Sequence, residues 1–108
     1  MPTRPKPQPV AERFRERIYL GGPGKPPILS TYWTRSKTGE VLNYGLAYID
    51  FSLNPRDNGR VLGYDNGHQV HERHFMGRTK PVNFISYEET SRRFFAEVRK
   101  IRKETARG

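Results

Sequence analysis

The sequence predicts an α+β domain, an antiparallel sheet of four to six strands with one C-terminal amphipathic helix packed on one face. Three observations predict it. Runs of alternating or β-prone residues fill the chain from Arg13 to Met76. Clusters of Gly, Pro and Asn, such as GGPGKPP (21–27) and NPRDNG (54–59), separate those runs. Helical spacing dominates only after Ser86.

Residues 1–11 are expected to form a disordered Pro-rich basic tail, because proline recurs every second or third position and removes backbone donors. Residues 12–108 are then a single α+β domain. From Arg13 to Leu20 the chain alternates, with Phe14, Ile18 and Leu20 on one side and Arg13, Arg15, Arg17 and Tyr19 on the other. A strand with one basic face follows, although AERFRERI could begin as a helical turn. The GGPGKPP loop has glycines and a lysine but lacks the spacing and closing Lys-Ser/Thr of a phosphate loop.

Leu29 to Thr34 is β-prone, and Arg35 to Gly39 is a polar turn. Glu40 to Leu53 is the longest β pattern and is apolar at both parities. It reads as a central strand covered on both sides, or as a strand with a bulge near Gly45 that exchanges its faces. Next comes a hairpin within VLGYDNGHQVHERHFMG (61–77), the stretch that holds all three histidines. Its turn is expected at Asp65-Asn66-Gly67, since Asn-Gly supplies positive φ. Val70 to Met76 forms the returning arm. Gly77 to Pro81 reads as a loop and Val82 to Ile85 as a short strand or connector.

Ser86-Tyr-Glu-Glu89 has capping-box spacing and should start a helix that runs to about Lys103. Tyr87, Phe94, Val98 and Ile101 make its apolar stripe. Glu88–Arg92 and Glu89–Arg93 have favourable i,i+4 spacing. Arg92, Arg99 and Lys103 form a basic back.

The chain has 108 residues and no cysteine, which excludes disulfides and thiolate metal sites. Twenty Lys+Arg against eleven Asp+Glu give a net charge of +9. That balance points to a polyanionic partner, usually nucleic acid, or to an acidic protein partner. No apolar run approaches the ~20 residues of a membrane span, and no signal peptide is evident, so a cytoplasmic protein is expected. Tyr19, Tyr32, Trp33, Tyr44 and Tyr48 interleave with basic residues, as a base-stacking surface requires.

The hairpin carries the densest chemistry. His68, His71 and His74 are three apart, a spacing that would share a helix face but diverges on a strand. No metal and no cofactor is therefore expected. By parity His71, Arg73 and Phe75 share one face and Glu72 and His74 the other. His71 could move a 2′-hydroxyl proton as general base or acid, and Arg73 could hold the phosphate. Asp65 or Glu72 could orient an imidazole, with His74 and Asp65 as a second acid/base or orienting pair.

Gly63-Tyr-Asp-Asn-Gly-His68, His71-Glu-Arg-His74-Phe-Met-Gly77 and Pro81-Val-x-Phe84-x-Ser-Tyr-Glu-Glu89 together resemble the TumE-like toxin family of bacterial and archaeal toxin–antitoxin modules. The resemblance spans about Arg13 to Lys103 and is densest over 61–89. It implies a small RNA-directed toxin encoded beside a helix-turn-helix antitoxin, with ribonuclease action the general expectation for toxins of this size and charge. Its functional candidates are Asp65, Asn66, His71, Arg73 and His74; the charge balance separately gives Arg13, Arg15, Arg17 and Arg73 as nucleic-acid contacts. The reading is thus a metal-independent ribonuclease toxin. The alternatives are a non-catalytic nucleic-acid-binding or regulatory module and a metal-dependent nuclease.

Overall fold

The computed structural model describes residues 8–106; the expected tail falls outside them over residues 1–7. Six strands follow one another in space as they do in sequence: β1 (Glu12–Tyr19), β2 (Ile28–Arg35), β3 (Val41–Ile49), β4 (Arg60–Asp65), β5 (Glu72–Phe75) and β6 (Arg78–Pro81). All neighbours are antiparallel. One helix, α1 (Tyr87–Thr105), packs on one face against β3 and β4. The architecture expected from the alternating runs and the single capped helix is the one observed.

The helix begins where the capping chemistry dictates. Ser86 is extended and its Oγ accepts the Glu89 N–H at 3.1 Å. Thr90, Phe94 and Val98 are buried beneath it, with Tyr87 and Ile101 partly so. Tyr44, Leu46 and Tyr48 of β3 and Leu62 and Tyr64 of β4 complete the core. The charge pairing differs from expectation: Glu89 takes both Arg92 and Arg93, so Glu88 is not the Arg92 partner. A single carboxylate at i serves i+3 and i+4 together because both lie on its side of the helix.

The sheet is covered on its helix side only in the middle. Phe14 and Ile18 of β1 are 39% and 44% exposed on that side, and Phe14 stacks on Trp33 with ring centroids 5.3 Å apart. Among the described residues the other side has no helix. There the register aligns Arg15, Tyr32, Gly45, Asp65 and Glu72 across five strands, and Arg17, Ser30, Ala47, Gly63 and His74 in the next row.

Four local expectations are corrected. Pairing is continuous through Gly45, and the irregularities lie at Thr34/Arg35 and Tyr48/Ile49 instead. The second face of β3 is met by a side chain at Gly45: the Tyr32 ring lies over it, where a Cβ would come within 2.3 Å of the ring. The strand ends at Ile49, eight residues after Val41, and Asn54 then closes the loop by donating to the Arg60 carbonyl at 2.7 Å.

The hairpin turn is not an Asn-Gly pair at positive φ. Residues 66–71 form a longer loop in which Gln69 has φ 62°. Asn66 is occupied elsewhere: its Oδ1 accepts the Tyr44 N–H at 3.0 Å and its Nδ2 donates to the Leu42 carbonyl at 2.9 Å. The amide thus prolongs the β3 ladder after β4 has ended, and this leaves no freedom for a two-residue turn. Finally, 78–81 is an edge strand, not a loop. Met76 and Gly77, at φ 49° and 84°, make the tight turn that brings it alongside β5, a geometry in which both central residues need positive φ.

Candidate functional site

The parity argument holds for the hairpin arm, and it divides the candidate residues between two faces. On the helix side, Arg73 lies opposite Tyr64, and both reach Glu97 of α1. The Tyr64 hydroxyl donates to Glu97 Oε1, and the Arg73 guanidinium donates to Glu97 through Nε and Nη2, the Nε–Oε2 distance being 3.2 Å. Burial and the adjacent carboxylate push the Tyr64 phenol up to about 12, so it remains a donor. Hydrogen bonding to Glu97 raises the Arg73 pKa above its ordinary value. Arg73 is therefore engaged within the domain, and to hold a phosphate it would have to exchange Glu97 for it.

His71 precedes β5 on the same side. Its ring stacks on Phe84 with centroids 3.9 Å apart and on Tyr44 at 5.7 Å. Its Nδ1 shares a 2.8 Å hydrogen bond with the Tyr44 hydroxyl, which burial, above all, pushes up to about 12. Burial also lowers the His71 pKa, which favours the neutral imidazole. The bond to Tyr44 and the stack on Phe84 fix the ring plane and leave Nε2 as the nitrogen outside that bond.

On the open side, His74 is 8% exposed. Its Nδ1 bonds Thr79 Oγ1 at 2.9 Å, and its Nε2 lies 2.8 Å from Asp65 Oδ2. Asp65 Oδ1 accepts the Gly67 N–H at 3.1 Å, and Arg60 reaches Oδ2 at 3.5 Å while bonding Asp57 more closely at 2.9 Å. His74 and Asp65 are thus brought side by side, although Nε2 makes no aligned hydrogen bond. Neither residue shares a face with His71 and Arg73, and Asn66 braces the backbone.

Beside Asp65 opens a groove of about 350 Å³ lined by Arg15, Ser30, Tyr32, Gly45, Arg60 and His68 among others. Gly45 lines it, and Gly63 lies one row further along the same face. Tyr32 lies across the first and Arg60 across the second, where an added Cβ would meet Arg60 Cδ at 2.8 Å. Arg15 stands over the Tyr32 ring at 5.3 Å. Arg13 and Arg17 are exposed on the same face of β1. Arg13, Arg15 and Arg17 were legible as a basic face. In the sequence Tyr32 is only one aromatic of several, and Arg60 and Thr79 carry no local signal, because their roles come from cross-strand register.

No protein-family model, no curated protein and no solved structure matches the chain.

Proposed function

We propose that the protein binds single-stranded RNA on the open face of its sheet, in the cytoplasm, as the toxin component that its resemblance to TumE-like proteins implies. One observation carries the binding reading: the face without a helix presents Arg13, Arg15 and Arg17 in a row beside Tyr32, over a groove lined by Gly45. Arginines spaced along a strand neutralise successive phosphates, and an aromatic ring among them gives a base a surface to stack on. Each β1 arginine is solvent-facing and so keeps its charge available. The uncovered apolar flank of Phe14, Ile18 and Trp33 on the opposite side is the surface proposed for the antitoxin.

A second reading, metal-independent cleavage with His71 as general base or acid, is favoured by the held imidazole of His71. It requires a substrate that reaches the helix side and an Arg73 released from Glu97.

Binding is tested by measuring the affinity of the full chain for a labelled single-stranded RNA over a range of salt concentrations. Wild-type affinity should fall steeply with salt, and Tyr32→Ala should weaken binding at every salt without altering the slope. A salt-independent affinity, or a Tyr32→Ala variant that binds like wild type, would overturn the proposed face.

A further inference from the structure

Asp65, Glu72 and His74 bring three ligand atoms within 4.8 Å of one another on the open face. The register explains the convergence. Asp65 at the end of β4 lies opposite Glu72 at the start of β5, and His74 is two residues further along the same face. Three such groups on a surface are common without an ion, so the cluster alone says little. The state of His74 says more.

Its residue is more than nine-tenths buried, and its Nε2 is sealed from solvent without a hydrogen-bond partner. The 2.8 Å separation from Asp65 Oδ2 is a hydrogen-bonding distance, but the ring N–H direction does not fit one. Leaving a buried polar nitrogen unpaired destabilises the fold. A buried ring nitrogen without an aligned partner, beside the carboxylates of Asp65 and Glu72, is where a cation would be held.

The neighbours hold the ligands as a metal site requires. Thr79 Oγ1 takes His74 Nδ1 at 2.9 Å, which orients the ring. The Gly67 N–H takes Asp65 Oδ1 and leaves Oδ2 turned toward the imidazole. Arg60, the nearest opposing charge, is bound by Asp57 through both Nε and Nη2 and makes only a 3.5 Å contact to Asp65.

We propose that Asp65, Glu72 and His74 form a binding site for one divalent transition-metal ion, at the wall of the basic groove. One imidazole nitrogen with two carboxylate oxygens suits Zn²⁺ or Mn²⁺ better than Mg²⁺ or Ca²⁺, which prefer all-oxygen sets. Three protein ligands leave coordination positions free for water or a phosphate oxygen. The expectation of no metal rested on the divergence of His68, His71 and His74, and this site uses only one of them. The inference goes beyond RNA binding and does not depend on it.

The test is calorimetric titration of chelator-stripped full-length protein with Zn²⁺ and with Mn²⁺, in the absence of RNA, with the thermal midpoint recorded in parallel. One ion per chain should bind and raise the midpoint. Glu72→Gln and Asp65→Asn should each weaken affinity by at least about tenfold. Glu72 is only half-buried, so its variant keeps the test valid should Asp65→Asn unfold. Absence of binding by both ions overturns the proposal, as does binding that neither substitution weakens. Failure of RNA binding would leave the titration unaffected.

Discussion

Arg73 of the hairpin is bound by Glu97 of the helix, on the face of the sheet opposite to His74 and Asp65. The bond ties the central hairpin to α1, and it turns the arginine nearest the histidines into a cross-element brace. Both side chains are about three-quarters buried, so removing either partner strands the other charge in a poorly solvated place.

Arg73→Ala should therefore act on stability before it acts on RNA. A loss of about 1–3 kcal/mol is expected, reduced from fully buried pairs by the residual solvent contact. Glu97→Ala should cost a similar amount, and the double variant less than the sum. Denaturant unfolding of the three variants measures this. Additive losses would mean that the pair does not act as a unit.

The core prediction concerns Phe94, which is fully buried and meets Tyr64 edge to face with centroids 6.4 Å apart. Phe94→Ala should cost about 3–5 kcal/mol, and Ser86→Ala about 1 kcal/mol through loss of the N-cap bond. An unchanged unfolding midpoint for Phe94→Ala would contradict the packing of α1 on β3 and β4.

Gly45→Ala probes the groove. The new methyl group would collide with the Tyr32 ring, whose Cε1 lies 2.3 Å from the ideal Cβ position. The ring must move off Gly45, so RNA affinity should drop while stability falls by about 1–3 kcal/mol. Parallel binding and unfolding measurements check it, and a variant that keeps wild-type affinity would show that the placement of Tyr32 does not matter for RNA.

His71 sets an acid dependence. Burial holds its folded pKa below the unfolded value of 6.5, so the unfolded chain takes up the proton first as pH falls. Its contribution to stability is intact above that value and declines as pH drops through and below it. His71→Phe keeps a ring against Phe84 but cannot titrate. Its stability should vary less between pH 7 and pH 5 than that of wild type, by an amount that thermal melts across that range will read. An identical pH profile would mean that the imidazole is solvated in the folded state.

The same residue decides between binder and enzyme. On the catalytic reading, His71→Ala should abolish RNA cleavage while leaving affinity nearly intact, since one proton transfer is worth about 10²–10⁴-fold in rate and the proposed binding is shared among several arginines. Cleavage is followed on a labelled RNA with and without chelator. Activity equal to wild type in His71→Ala removes the catalytic reading, and activity that stops with chelator and returns with Mn²⁺ transfers it to the Asp65–Glu72–His74 cluster.

The sequence by itself determined the order of the first five strands and the helix, the two faces of β1 and the start of the helix. These follow from local rules: side chains alternate along a strand, recur every three to four residues on a helix, and a serine before Glu89 can reach only the first free N–H groups. The parity of His71 and Arg73 against Glu72 and His74 was legible for the same reason. The tertiary structure decided everything that depends on register and partner. Only strand pairing places Gly45 under Tyr32 and Asp65 opposite Glu72, and only the packing of α1 brings Glu97 to Arg73. Asn66 misled because its side chain is consumed by the neighbouring strand, and the 78–81 edge was hidden because Met76 takes a positive φ that methionine seldom adopts. Local composition cannot encode such contacts, since each joins residues brought together only when the sheet has closed.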